Sequence, residues 1–313
     1  MKIAGRDDLP GDVAIFHLEA ADGGRLPPFE PGAHIDVEVS EGMVRQYSLC
    51  SPPVEGGGRR YRIAVLRELA GRGGSAAIHA GFKIGDTVKI GAPRNLFPLD
   101  IGQSKVLLLG AGIGVTPLLA MAYALRAAGR PFELYYCARD RAKAAFLPEL
   151  EAEFGAAARF HSTMESQGVR LDLGEVLARQ PEDAHVYICG PAPFIEAASA
   201  AAIGRGFASA QVHYEHFGAD VDLSGDSFEV VARRSGKTVT VGAGETILGA
   251  LAYSGIMIPK SCEQGVCGTC LVDVIDGAPD HRDHFLTEDE RAEGDQIVTC
   301  CSRSLGQRLV LDI

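Results

Sequence analysis

The sequence predicts a multidomain chain in three parts: an antiparallel β-barrel, a doubly wound α/β domain, and a small α+β domain. Three observations predict it. The first hundred residues are short strand-like stretches broken by glycine and proline turns. From about 101 to 217, continuous apolar strands alternate with helix-like stretches, as parallel sheets require. Beyond about 226, a hairpin, one helix and closing strands surround a cysteine-rich loop. At 313 residues the chain is too long for one ordinary domain.

The totals exclude some classes. A net charge of −11 argues against nucleic acid and against an anionic membrane surface. No apolar run approaches the roughly 20 residues that span a bilayer. Met1–Asp8 lacks the apolar core of a signal peptide. Eight cysteines in 313 residues is not disulfide density, so a cytoplasmic location is expected.

In the first part, Val13–Glu19, His34–Val39, Arg60–Val65 and Thr87–Ile90 read as strands. Asp22-Gly23-Gly24, Glu30-Pro31-Gly32 and Gly56-Gly57-Gly58 read as turns. Two stretches carry more than barrel grammar. Arg45-Gln46-Tyr47-Ser48-Leu49-Cys50-Ser51 could offer a flat polar ring a cation, a stacking face and a hydroxyl, or could be a half-exposed edge strand. Gly71-Arg72-Gly73-Gly74-Ser75 precedes helix-like Ala76–His79. A glycine loop at a helix start offers free N–H groups and a positive dipole end to a phosphate, and Arg72 adds charge. The plainer reading is a flexible turn.

In the second part, strand-like Val106–Leu109 runs into Gly110-Ala111-Gly112-Ile113-Gly114-Val115-Thr116-Pro117 and a helix. Further strand–helix units begin at Phe132, Val169 and His185, the last strand ending in Cys189-Gly190-Pro191. Ligands of such sheets bind at the carboxyl ends of strands, where both glycine motifs lie. Gly110-x-Gly112-x-Gly114 is not the usual dinucleotide fingerprint and could serve only strand–helix packing. Cys189 could be a small buried residue. The part ends at His213–Phe217, where Phe217 is either core or a cover for the site.

Gly218–Asp226 is polar, small and turn-rich, and reads as a linker. The third part is predicted as a hairpin (Phe228–Ala232 and Thr238–Val241), a helix over Thr246–Tyr253, a strand over Cys270–Ile275 and a closing strand over Arg308–Ile313. Cys262, Cys267 and Cys270 are spaced C-x4-C-x2-C, with Cys300 thirty residues on. Four thiolates so placed suit a 2Fe–2S cluster. Gly265 and Gly268 let the loop bend and aim N–H groups at the sulfides. A zinc site would favour paired short C-x2-C units, and only one is present. Cys301 adjoins Cys300, so the fourth ligand is a choice between two thiols. Residues 226–313 hold 14 Asp/Glu against 8 Lys/Arg, a field that could be mere solvation or could steer a partner.

Together these motifs carry a resemblance over nearly the whole chain. R-x-Y-S followed by G-R-G-G-S is similar to the flavin domain of the ferredoxin reductase superfamily, most of all the phthalate dioxygenase reductase and vanillate demethylase reductase group. The Gly110 loop with Thr116-Pro117 and Cys189-Gly190-Pro191 resembles that superfamily's pyridine-nucleotide domain, and the third part resembles a plant-type ferredoxin of the β-grasp kind. The resemblance implies domains at 1–100 (FMN), 101–217 (NADH) and 227–313 (2Fe–2S), joined by the linker 218–226. It implies that Arg45, Gly73, Gly74 and Ser75 serve the FMN phosphate, beside the charge that Arg72 adds to the loop. Tyr47 and Ser48 would lie on the isoalloxazine, and Ala64 and Val65 along its edge. Gly110, Gly112 and Gly114 would hold the pyrophosphate, and Thr116, Cys189, Gly190 and Pro191 would flank the nicotinamide. Phe217 would cover the flavin with Glu215 nearby, making Ser48, Cys189 and Phe217 the residues at the reacting atoms. Arg139 stands where the adenosine ribose should lie. An Arg suits a 2′-phosphate and Asp140 a free diol, so the residues leave the coenzyme open and the resemblance implies NADH. The pattern before x-Ser-Arg selects Cys300 over Cys301.

The resemblance thus implies a monomeric NADH-dependent reductase passing electrons through FMN and the cluster to a Rieske-type oxygenase docked near Cys262–Cys270. Its rivals are the same reductase serving a haem-thiolate monooxygenase or carnitine-type oxygenase, and a non-catalytic electron-transfer subunit or redox sensor.

Overall fold

A computed structural model describes residues 1–53, 57–102, 105–218 and 221–313. Gly56 of the predicted turn, and residues 219–220 of the predicted linker, lie outside the described residues. The chain divides into two compact units, Met1–Glu215 and His216–Ile313.

The first unit opens with β1 (Lys2–Leu9), β2 (Val13–Glu19), β3 (His34–Ser40), β4 (Met43–Ser48) and β5 (Arg60–Leu66), then helix α1 (Gly74–Gly81). β2 pairs antiparallel with β1 and β5, and β3 with β4. Single bridges join the pieces: Leu49 to Ile63, Val37 to Ile90 and Lys2 to Thr87. These links run from β5 through β4, β3 and the 87–90 segment back to β1, so the barrel closes and leaves few strand edges. The predicted strand at 87–90 is therefore a pair of bridges, and β1 is a strand the sequence reading did not mark. Alternation sorts the side chains. Ala14, Phe16 and Leu18 of β2, with Ile63 and Val65 of β5, fill the barrel. Val13, Ile15 and Ala64 point the other way, into a core shared with Val106, Leu108, Leu118 and Met121. Both faces of β2 and β5 are thus dry at these positions, which is why Val13–Phe16 reads as one apolar run.

The second half of this unit comprises β6 (Val106–Ala111), α2 (Val115–Ala127), β7 (Phe132–Ala138), α3 (Leu147–Phe154), β8 (Ala158–Ser162), α4 (Leu173–Ala178), β9 (His185–Cys189), α5 (Ala192–Gly204) and β10 (Val212–Glu215). The sheet runs β10-β9-β6-β7-β8 with every pairing parallel. One prediction fails: the third strand is Ala158–Ser162, not Val169–Leu173. Asp172 caps α4, its Oδ1 accepting from the Glu175 N–H at 2.9 Å, so the apolar pair Leu171 and Leu173 leads into a helix. The true strand hid because it is an edge strand, Ala-Arg-Phe-His-Ser, with little apolar signal.

The second unit comprises β11 (Phe228–Ala232), β12 (Lys237–Val241), α6 (Ile247–Tyr253), β13 (Leu271–Asp276), β14 (Pro279–Asp280), α7 (Glu288–Glu293), β15 (Gln296–Val298), β16 (Arg303–Ser304) and β17 (Arg308–Leu311). Its main sheet runs β12-β11-β17-β13-β15. Only β11 and β17 pair parallel, and α6 lays Ile247, Ala250 and Leu251 across the sheet. Thr246 caps α6 through the Gly249 N–H at 2.9 Å.

The described part of the predicted linker has fixed partners. Arg282 donates to the carbonyls of Asp222 (2.7 Å) and Ser224 (2.8 Å). Arg303, only 2% exposed, donates to the carbonyls of Asp226, Gly242 and Glu245. Segment 221–226 is therefore tied down by two arginines far along the chain, which composition cannot report.

Candidate cofactor sites

The stretch from Arg45 to Ser51 runs along the end of β4. Burial raises the Tyr47 hydroxyl to about 12, so the ring is a neutral phenol. Ser48 is buried, and Ser51 is fully buried with a hydroxyl oxygen that has no hydrogen-bond partner. An orphaned buried hydroxyl in this motif is what a missing polar ligand leaves behind. In the sequence Ser51 carries no sign of this role, because one hydroxyl in a strand is no signal. Ala64 and Val65 are buried on β5.

Gly73 stands at φ +82°, a left-handed conformation that suits glycine, and no side chain caps α1 behind it. The first-turn N–H groups of α1 thus keep the positive end of the helix open. A Cβ on Gly74 would come within 2.7 Å of the Arg45 Nε, so the guanidinium lies directly against the loop. Arg45 also donates to the Arg72 carbonyl at 3.4 Å. Ser75 Oγ accepts from the Glu68 N–H at 3.0 Å, leaving its own hydrogen to donate. The structure therefore brings together Arg45, Gly73, Gly74 and Ser75, with Arg72 exposed at the rim. The donor set fits a phosphate.

At the carboxyl ends of β6 and β9 the two glycine motifs meet backbone to backbone. A Cβ on Gly114 would lie 2.5 Å from the carbonyl carbon and oxygen of Cys189 and from the Gly190 nitrogen. A Cβ on Gly110 would meet Val115 Cα at 3.2 Å. Gly112 is at φ +57° with open space beside it. Thr116, 2% exposed, donates to the Ile113 carbonyl at 2.9 Å, and α2 has no side-chain cap. Pro191 sits at the N-cap of α5. Cys189 is fully buried, and burial, then the Glu215 charge, holds its thiol well above the usual range. A neutral thiol is not a nucleophile. Glu215 pairs with Cys189 in register on β10. Burial raises its carboxyl to about 8, and its Oε2 has no partner. Burial thus favours the neutral form of both side chains.

At the ribose position, Asp140 Oδ1 caps the turn after β7 by accepting from the Ala142 N–H at 2.9 Å. Arg141 is engaged with Glu151 and Glu165. Arg139 is exposed beside them. Phe217 falls in the second unit, is not part of a strand, and is 41% exposed, so it is not a core residue.

None of the eight cysteines is in a disulfide. Cys262, Cys267, Cys270 and Cys300 are each buried. Cys262 lies within hydrogen-bonding reach of Cys267 and Cys300, and Cys300 within reach of Cys270. Contact with Cys267 and then Cys300 lowers the Cys262 thiol far below its usual range. Backbone N–H groups already face the sulfurs: Gly265 to Cys300 at 3.2 Å and Gln264 to Cys262 at 3.4 Å. Gly265 (φ +74°) and Gly268 (φ +66°) turn the loop. A Cβ on Gly268 would strike the Phe285 ring at 2.2 Å, and one on Gly265 would strike Cys301 Sγ at 2.6 Å. Cys301 thus lies behind the loop. No three or more His, Cys, Asp or Glu side chains among the described residues gather around a single ion. A two-iron cluster asks for only two protein sulfurs per iron, so the four thiols fit it.

The comparisons agree with this geometry. The family described as "2Fe-2S iron-sulfur cluster binding domain" matches residues 230–305. Vanillate O-demethylase oxidoreductase of a Pseudomonas species is 44% identical over 305 residues, covering 96% of each chain. A solved structure of phthalate dioxygenase reductase, described as a modular structure for electron transfer from pyridine nucleotides to [2Fe-2S], superposes with a TM-score of 0.79 at 38% identity. It covers 100% of this chain and 97% of its own. An intact type IV self-sufficient cytochrome P450 monooxygenase matches all of this chain with a TM-score of 0.85 at 37% identity, and this chain spans 40% of its length.

Proposed function

This chain belongs to the phthalate dioxygenase reductase and vanillate O-demethylase reductase family, and from that premise we propose that it is the NADH-dependent reductase component of a Rieske-type oxygenase. Segments 1–100, 101–217 and 227–313 serve FMN, NADH and a 2Fe–2S cluster in turn. The observation that carries the reading is the nest of four contacting thiols with backbone N–H groups on their sulfurs. FMN would supply the exchange of one hydride's electron pair for two single electrons, and the cluster would accept them one at a time.

The chain's own residues bind, orient and insulate. Arg45 and the uncapped start of α1, with Gly73, Gly74 and Ser75, hold the single phosphate, and Arg72 adds charge at the rim. Tyr47 and Ser48 orient the ring, while Ala64 and Val65 keep its edge dry. The Gly110–Gly114 loop carries the pyrophosphate at the start of α2. Thr116, Cys189, Gly190 and Pro191 bracket the nicotinamide, with Glu215 behind. The neutral Cys189 thiol and protonated Glu215 keep charge away from the path between the rings. Asp140 caps its turn through Oδ1, which leaves its second oxygen to accept from the free ribose diol of NADH, with Arg139 exposed at the same end. Cys262, Cys267, Cys270 and Cys300 are the cluster ligands, and Cys301 is spare.

The acidic unit 216–313 docks the oxygenase around Cys262–Cys270, and the protein acts as a cytoplasmic monomer. No helix among the described residues is long and apolar enough to cross a membrane. A second reading of the acceptor, a haem-thiolate monooxygenase, is favoured by the cytochrome P450 match. Purified protein carrying FMN and cluster should reduce cytochrome c or a dye with NADH. Failure would remove the enzyme reading and leave an electron-transfer subunit. Coupled turnover with a Rieske oxygenase, compared with a haem-thiolate enzyme, decides the acceptor.

A further inference from the structure

The turn at 281–286 is packed against the cysteine loop, and no role follows from its sequence. Its centre is Asp283, 3% exposed. Its Oδ2 accepts the Phe285 N–H at 3.1 Å and the Leu286 N–H at 2.8 Å. Its Oδ1 accepts the Ser302 hydroxyl at 3.3 Å. His281 Nδ1 lies 3.7 Å from Oδ1 and Arg291 3.8 Å from Oδ2, and Arg291 also donates to the Asp283 carbonyl. A carboxylate buried this deeply with full hydrogen bonding is expensive to place and is held for a reason.

Its backbone touches the loop at one residue. A Cβ on Gly265 would lie 3.1 Å from Asp283 Cα. The Gly265 carbonyl accepts the next N–H of the same turn, from His284, at 2.9 Å. Gly265 is also the residue whose N–H points at Cys300 Sγ. The next side chain but one, Phe285, fills the space that Gly268 leaves. One turn therefore fixes both glycines of the loop, and Asp283 fixes the turn.

We infer that Asp283 is a positioning residue for the iron–sulfur centre, which keeps the Gly265 N–H on Cys300 and whose buried negative charge lowers the midpoint potential of the cluster. The inference rests on the reading of the four thiols as cluster ligands. Potentials of such clusters respond to net charge and to hydrogen bonds on the sulfurs. A fixed anion in a dry site opposes the arrival of another electron.

The test is a redox titration of the full-length protein loaded with flavin and cluster, followed by the visible and electron paramagnetic resonance spectra of the reduced cluster. Asp283→Asn keeps the shape and removes the charge. It should raise the cluster potential by at least a tenfold change in the reduced-to-oxidised ratio, about 59 mV for one electron. The flavin potential should not move. Arg291→Gln removes the nearest compensating cation and should shift the cluster potential the opposite way. Opposite shifts support the inference. No shift, or shifts of the same sign, overturns it. If Asp283→Asn does not assemble a cluster, the sign found for Arg291→Gln decides alone. Absence of cluster spectra from the unmodified protein would instead remove the reading on which the inference stands, and the inference with it.

Discussion

Replacing Gly114 by alanine should separate nucleotide chemistry from everything else the chain does. The added Cβ would meet three backbone atoms of Cys189 and Gly190 at 2.5 Å. Ordinary contact begins near ~3.5 Å, so one strand end must yield by roughly 1 Å. Backbone cannot swing aside as a side chain can, and overpacking of this kind costs about 1–3 kcal/mol. The displaced atoms belong to the Cys189-Gly190-Pro191 turn proposed to bracket the nicotinamide. A misplacement of about 1 Å at such a point can cost roughly a hundredfold in rate. The assay is steady-state reduction of a dye by NADH, with flavin and cluster absorbance recorded on the same sample. The expected result is kcat/KM for NADH lower by about a hundredfold, with both chromophores retained. Gly129→Ala is the control. Gly129 is left-handed at φ +63°, where Gly114 is at φ −62°, and has nothing within 4 Å, so alanine there should cost about 1 kcal/mol of backbone strain and no activity. A Gly114→Ala protein with native kcat and KM would refute the argument that these two loops form the nicotinamide site.

Other outcomes follow from the same sites. Cys300→Ser should abolish cluster absorbance and Cys301→Ser should retain it, because only Cys300 reaches both Cys262 and Cys270; visible spectra of the two variants check this. Glu215 holds a proton in the fold up to about pH 8 that the unfolded chain releases near 4.5. Stability should therefore fall as pH rises across that window, by up to about 1.4 kcal/mol per pH unit; thermal unfolding should show Glu215→Gln losing this slope. Glu263→Lys, within the cluster loop, should weaken oxygenase coupling while leaving dye reduction intact, and unchanged coupling would count against docking at Cys262–Cys270.

What the sequence made legible was what is local. Three cluster cysteines and two glycines lie within nine residues, so spacing alone conveys their geometry. β2, Val13–Glu19, was legible end to end because its apolar character is continuous. β8 was not, because an edge strand needs little apolar surface, and the Leu171–Leu173 pair nearby offered a stronger false signal that the Asp172 cap resolves. In the sequence Arg303 is only a marker beside a ligand. Its work lies with the carbonyls of Asp226, Gly242 and Glu245, which are 58 to 77 positions away. Asp283 was opaque for the same reason, since its role depends on Gly265 and Ser302. Ser51 was visible, but its orphaned hydroxyl is a property of packing that no pattern of residue types encodes.

The double-sided burial of β2 and β5 has a consequence for how such a chain can be taken apart. A cut near residue 100 would bare Val13, Ile15 and Ala64 on one piece and Val106, Leu108 and Leu118 on the other. Neither fragment would keep the surface it was built to hide, and both would tend to stick to whatever apolar surface they met. Residues 216–313 hold their own apolar clusters, around Val230, Leu251 and Leu309 and around Leu286 and Val298. A cut after Glu215 leaves those intact. Recombination, whether by a gene or by an engineer, is therefore free to move the last hundred residues as a cassette, while the first two hundred can only be inherited whole.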